Sequence, residues 1–129
     1  MALIYIVEDD KNISEIESFS LKNAGHQTVE FPDGRSFYKE LAEKKPDLIL
    51  LDIMLPDEDG LSILRKIREK RETKRIPVIM VTAKTTEIDK VKGLDNGADD
   101  YMTKPFGVME LVSVSRHFFE EQESRMRRR

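Results

Sequence analysis

Three adjacent carboxylates, Glu8, Asp9 and Asp10, follow the apolar run "LIYIV" at residues 3–7, and a fourth, Asp52, is set inside "LILLDI" at 48–53. Thr82 closes another apolar run, "PVIMVT" at 77–82, with Ala83 beside it, and Lys104 ends "DYMTK" at 100–104 ahead of Pro105. One reading of the three acids is helix capping, because carboxylates are favoured beside the free N–H groups of a helix start. A cap uses one acid, and three exceed it. Were Asp9 and Asp52 about 5 Å apart, their repulsion would be roughly 3 kcal/mol at an effective dielectric near 20, before any cost of desolvation. Lys104 supplies one compensating charge, and a divalent ion supplies the rest. Carboxylates, a carbonyl and waters form the oxygen shell that Mg2+ prefers, and Mg2+ takes phosphate oxygens as further ligands. A phosphoryl group is the guest that suits such a site.

These groups have to be delivered by the elements that carry them. "LIYIV", "LILLDI" and "PVIMVT" are short runs rich in β-branched and aromatic residues, the pattern of strands buried on both faces, as parallel strands are. "QTVEF" at 27–31 and "DYMTK" read as two more strands. Helical patterns lie between and after them: Ile13, Ile16, Leu21 and Ala24 up to Gly25; Phe37, Leu41 and Ala42 before Pro46; Leu64 and Ile67 after Gly60; Ile88, Val91 and Leu94 up to Gly97; and Leu111, Val112, Ser115 and Phe118 after Pro105. Glycine suits the left-handed position that ends a helix. Five strands alternating with five helices predict an α/β fold, a doubly wound parallel sheet with helices on both faces. Ligands of such sheets bind outside the carboxyl ends of the strands, where strand order reverses. The acids, Thr82 and Lys104 all fall at those ends.

The chain of 129 residues, 39% of them hydrophobic, has the size of one domain. It has no cysteine, which excludes disulfides and thiolate metal sites and agrees with a reducing, cytoplasmic setting. Its apolar stretches are too short to span a membrane and no basic-then-apolar leader opens it, so a soluble protein with no membrane partner is expected. A net charge of −3 with 36% charged residues is not a nucleic-acid footprint. The basic cluster Arg125, Arg127, Arg128 and Arg129 reads as a solvated tail or the start of a linker. His26 and His117 lack neighbouring ligand types and read as surface residues.

The acidic cluster after the first strand, Asp52 after the third, Thr82-Ala83 after the fourth and Lys104-Pro105 after the fifth together resemble the receiver domain of two-component response regulators, over residues 2–120. "GADDYMTKPF" at 97–106, with "LLDIMLPDEDG" and "VTAK", is further similar to the winged-helix transcriptional subfamily of OmpR/PhoB type. The resemblance implies a flavodoxin-like (CheY-like) sheet of strand order 2-1-3-4-5. It implies a receiver at 1–120 and, at 121–129, a tail or linker toward an effector domain outside this chain. The activity implied is that of a phospho-acceptor signalling domain, not of a turnover enzyme. Asp52 would take a phosphoryl group from a histidine kinase or a small phosphodonor. Asp9, Asp52 and the main-chain carbonyl of Met54 would ligate Mg2+, with Mn2+ or Ca2+ as substitutes and Glu8 reaching the metal through water. Lys104, the Thr82 hydroxyl and the main-chain N–H groups of Met54 and Ala83 would stabilise the phosphoryl oxygens.

The same resemblance implies an output. Thr82 and Tyr101 would form a switch, although Tyr101 also reads as an ordinary half-buried strand aromatic. The Lys104-Pro105 bond is a candidate cis peptide. Lys90, Asp95, Asp99, Asp100, Glu110 and Arg116 match positions through which subfamily members pair, so a homodimer on phosphorylation is expected; each also reads as a solvated charge. Val114 stands where the subfamily carries a basic residue, leaving Asp100 without that partner. DNA would be reached only through the effector domain. Met54 and Lys84 are long side chains placed to hinder in-line water, so slow autodephosphorylation is expected. Three alternatives compete. One is a stand-alone receiver acting through protein contacts. A haloacid dehalogenase-type phosphatase needs a second aspartate two residues past the nucleophile, where Met54 stands. A flavodoxin-type module shares the fold, but acids stand where its phosphate loop would follow the first strand.

Overall fold

Successive residues of a strand point to opposite faces of a sheet, and the apolar runs of this chain are apolar on both. The structure, a computed structural model, describes residues 2–83, 94–104, 107, 109–113 and 115–117. Its elements are β1 (Leu3–Val7), α1 (Lys11–Asn23), β2 (Gln27–Phe31), α2 (Gly34–Glu43), β3 (Leu48–Leu51), α3 (Gly60–Glu69), β4 (Val78–Thr82) and β5 (Asp100–Thr103). Residues 109–113 and 115–117 are also helical. All five strands are parallel, in the order β2-β1-β3-β4-β5. This is the predicted receiver-type order. Most of the predicted fourth helix, with Ile88 and Val91, lies outside the described residues, as does Phe118; residues 94–95 are helical. Among the described residues no helix is long and apolar enough to cross a membrane.

The two faces carry separate cores. Tyr5, Val7, Ile49, Leu51, Val78 and Met80 pack with Phe37 and Leu41 of α2 and with Ile63, Leu64 and Ile67 of α3. Ile4, Ile6, Leu48, Leu50, Ile79 and Val81 face the other way, against Leu21 of α1 and against Leu111. At roughly 25 cal/mol per Å2 of apolar surface buried, these two layers dominate the stability of the fold. Tyr5, Phe31 and Phe37 meet edge to face with ring centroids 5.0, 5.9 and 6.3 Å apart, the geometry that aromatic quadrupoles favour.

Helix α1 sits differently from the predicted stripe. Ile16 is 53% exposed, and the buried line is Ser14, Glu17, Ser18 and Leu21. The Ser14 hydroxyl donates to Glu30 at 2.7 Å, and Ser18 shares a hydrogen bond with Thr28 at 2.6 Å. Polar contacts to the edge strand β2 thus set the rotation of the helix, and hydropathy alone does not. In α2, Ala42 is exposed while Phe37 and Leu41 are buried.

Two tight features brace the sheet, the first at its carboxyl edge. The N–H of Gly60 donates to the Ile53 carbonyl at 2.8 Å, and a Cβ at Gly60 would lie 2.0 Å from the carbonyl oxygen of Asp52 and 2.7 Å from Ile53 Cα. At the opposite edge, the Arg68 guanidinium donates to the carbonyls of Gly97 (2.8 Å), Lys74 (3.1 Å) and Ile76 (2.6 Å) and to the Asp99 carboxylate (2.9 Å). It ties the end of α3 to the entries of β4 and β5. Because backbone cannot retreat as a side-chain tip can, Gly60→Ala is expected to lower the melting temperature by about 10 °C. A thermal melt within a degree or two of wild type would show that α3 starts free of the Asp52 backbone.

Candidate functional site

Strand order reverses between β1 and β3, so the crossovers leave in opposite directions and open a crevice at their carboxyl ends. Val7 pairs with Leu51, and the next residues, Glu8 and Asp52, therefore emerge side by side. They are 3% and 4% exposed, whereas Asp9 is exposed. One carboxylate oxygen from each of Glu8, Asp9 and Asp52 lies within 4.8 Å of the others. Lys104, just beyond β5, reaches across to them: its Nζ donates to Asp52 Oδ2 at 3.0 Å and also to Glu8 Oε1. The second oxygen of each acid is held by backbone, Asp52 Oδ1 by the Met54 N–H and Glu8 Oε2 by the Asp10 N–H, both at 3.1 Å. Asp10 itself caps α1, accepting from the N–H groups of Asn12 and Ile13. The capping reading therefore holds for one of the three acids and leaves Glu8 and Asp9 to the crevice.

Burial pushes the Glu8 carboxyl up to about 7, against the pull of its Lys104 hydrogen bond. Burial also works against the charge of Lys104, but the hydrogen bonds it donates to Glu8 and Asp52 outweigh that and hold the ammonium above its ordinary range. Behind them Glu17, on α1 and 1% exposed, is pushed up to about 8 by burial and then by the charge of Glu8. Its Oε1 has no hydrogen-bond partner. Glu8 and Asp52 thus share one ammonium, with Glu17 buried behind them and Asp9 at the rim. The donors are all oxygen and the charge is in excess, the chemistry that suits a hard divalent cation.

Met54 is 58% exposed and lines a shallow cleft with Asp9, Ile53, Leu55, Pro56 and Asp59. Thr82 ends β4 in register with Thr103, and Ala83 follows in an exposed position; the Thr82 side chain lies outside what is described. Tyr101 is half-buried against the core on the α2 and α3 side. Of the surface positions, Asp95, Glu110 and Arg116 are exposed. Asp99 is engaged within the domain, by Arg68 and by the Val78 N–H at 2.8 Å, and Asp100 accepts from the Tyr101 N–H at 2.7 Å. Lys84, Lys90, Pro105 and Val114 lie outside the described residues. Sequence reasoning missed Glu17, although it stands four residues from both Ile13 and Leu21, the spacing of one helix face.

Residues 4–116 match the response regulator receiver domain family. The chain belongs to that family. The BeF3-activated receiver domain of DrrB is 36% identical with a TM-score of 0.85, the match covering 93% of this chain and 98% of that one. A longer structure of DrrB, a Thermotoga maritima OmpR/PhoB homologue, is 35% identical with a TM-score of 0.85; the match spans 95% of this chain and 54% of that one. The BeF3-activated N-terminal receiver domain of RstA from Klebsiella pneumoniae is 30% identical, with a TM-score of 0.83 over 90% of this chain and 97% of that one. The Mn2+-bound response regulator Rcp1 is 29% identical, with a TM-score of 0.78 over 88% of each chain.

The buried acids of this receiver domain give its stability a definite pH dependence. Glu17 loses its proton near pH 4.5 when unfolded but near pH 8 when folded. The unfolded chain therefore binds fewer protons between those values, so this contribution to stability is full below about pH 4.5 and is lost as pH rises through 8. Glu8 acts in the same sense up to about pH 7. Glu17→Leu is expected to raise the melting temperature in metal-free buffer by several degrees at pH 8 and by clearly less at pH 5. Equal gains at the two pH values would reject a buried, proton-holding Glu17.

Proposed function

We propose that this receiver is switched by phosphorylation of Asp52 by a sensor histidine kinase, and that its output is transcriptional, through a DNA-binding domain of OmpR/PhoB type. The observation that carries the reading is the setting of Asp52: a buried carboxylate held between the Lys104 ammonium and the Met54 N–H, with Glu8 and Asp9 beside it. In the transfer, a carboxylate oxygen of Asp52 bonds to phosphorus while the bond from phosphorus to the donor nitrogen breaks, and the donor histidine keeps the electron pair. Lys104 faces the charge that builds on the transferring oxygens, and the N–H groups of Met54 and Ala83 and the Thr82 hydroxyl would donate to it. Asp9, Asp52 and the Met54 carbonyl would hold Mg2+, with Glu8 contributing through water; Mn2+, present in the relative Rcp1, would substitute. When bound, the cation supplies further neutralisation of phosphoryl charge.

The output follows from the same edge of the sheet. Phosphorylation draws Thr82 inward and lets Tyr101 turn, changing the surface on which Asp95, Glu110 and Arg116 stand and through which two copies pair. DrrB, as an OmpR/PhoB homologue, supports the transcriptional assignment. Met54, exposed at the mouth, shields the acyl phosphate from in-line water and lengthens its lifetime.

Incubation with acetyl phosphate and Mg2+ is expected to add about 80 Da to the intact mass of the wild type and nothing to Asp52→Ala. No adduct on the wild type, or the same adduct on the variant, would reject the assignment. The adduct is expected to last minutes or longer in buffer, and Met54→Ala to shorten it; an unchanged lifetime in that variant would remove the shielding role.

A further inference from the structure

The loop from β3 to α3 carries Met54 across the mouth of the site. Its inner end is closed by the Leu55 and Gly60 N–H groups, which both donate to the Ile53 carbonyl at 3.2 and 2.8 Å. Its outer limb is held by a different element. The Asp57 carboxylate reaches the first turn of α2, where Oδ1 accepts the Gly34 N–H at 2.9 Å and Oδ2 the Arg35 N–H at 2.8 Å. First-turn N–H groups have no partner within their own helix and sit at its positive end, so both bonds are charge-assisted. A Cβ at Gly34 would meet both Asp57 oxygens at an ordinary contact distance of 3.5 Å and would press on Ile63 Cδ1 at 3.0 Å. The neighbouring Glu58 accepts from Tyr38 of the same helix at 3.1 Å and pairs with Lys66 of α3 at 2.8 Å.

Helix α2 also has a cap residue of its own. Asp33 is the N-cap and accepts the Ser36 N–H at 2.8 Å. The twofold bond of Asp57 adds to that cap and also ties down the loop, three residues along the chain from Met54, whose N–H already holds Asp52 Oδ1. The two backbone bonds, that of Gly34 foremost, also hold the Asp57 carboxyl below its ordinary range, so it stays an anion at neutral pH.

We infer that Asp57 is a positioning residue for the phosphoryl-transfer site: by clamping the β3–α3 loop to the first turn of α2, it fixes where Met54 presents its main-chain N–H and carbonyl, and so sets the affinity of the site for a divalent cation. The inference rests on the proposed metal-assisted function of Asp52. Groups that orient ligands from outside typically carry ten-fold or larger effects on metal affinity.

The test is a Mg2+ titration of the full chain by calorimetry at 25 °C, comparing wild type, Asp57→Ala, Asp57→Asn and Asp33→Ala. The dissociation constant is expected to rise about ten-fold in Asp57→Ala and by less in Asp57→Asn, whose single amide oxygen keeps one of the two bonds. Asp33→Ala removes the ordinary cap of the same helix and is expected to lower the melting temperature while leaving Mg2+ affinity within about two-fold of wild type. Wild-type affinity in Asp57→Ala, or an equal loss in Asp33→Ala, would overturn the clamp. If Asp57→Ala does not fold, Asp57→Asn decides on the same criterion. Absence of Mg2+ binding by the wild type would instead sink the reading of the site itself.

Discussion

The ammonium of Lys104, shared between Glu8 and Asp52, is the interaction on which the carboxyl edge of the sheet depends. Two carboxylates emerging side by side from β1 and β3 cannot both be desolvated without a cation between them, and β5 supplies it from two strands away. Buried ion pairs are weak evidence for stability, because desolvation offsets most of the attraction. Here two acids share one amine, and Glu17 behind them is pushed up to about 8 chiefly by burial and so keeps its proton at neutral pH. The arrangement therefore suits further positive charge, and Lys104 compensates part of the acid within the domain itself.

The remainder of the fold serves to hold those groups in register. The parallel pairing of Val7 with Leu51 places Glu8 against Asp52, and both strands are locked by apolar side chains on their two faces. Gly60 brings the start of α3 against the Asp52 carbonyl with no room for a side chain. Arg68 joins α3 to the entries of β4 and β5 and thereby fixes the strand that ends at Lys104. Small backbone errors at any of these points would move an acid or the amine relative to its partners, and charge interactions at this range change steeply with distance.

How far this was legible in the sequence depends on the range of the interaction. Strands such as "LIYIV" and "LILL" declare themselves because residues apolar on both faces suit a covered parallel sheet, and the acids were legible because they terminate those runs. The resemblance to receiver domains supplied the strand order that alternation left open. The burial of Glu17 was hidden because the rotation of α1 is set by Ser14 and Ser18 meeting Glu30 and Thr28 of β2, and no local period encodes those partners. Asp57 gave no signal in the sequence, because its partners stand 22 and 23 residues upstream. Asp99 looked like free surface charge for the same reason: Arg68 lies 31 residues away.

The excess of buried acid has a thermodynamic consequence that links the site to the whole domain. A ligand that binds the folded state and not the unfolded one stabilises the fold in proportion to the logarithm of its concentration over its dissociation constant. In a neutral pocket that is the full effect. In this crevice a cation, if bound as proposed, would also relieve repulsion among Glu8, Asp9 and Asp52, and it would favour loss of the protons that burial keeps on Glu8 and Glu17. Affinity, proton release and stability are then three readings of one electrostatic quantity. Replacing Glu17 with an apolar residue would remove a buried carboxyl whose Oε1 has no hydrogen-bond partner, and so would strengthen the fold.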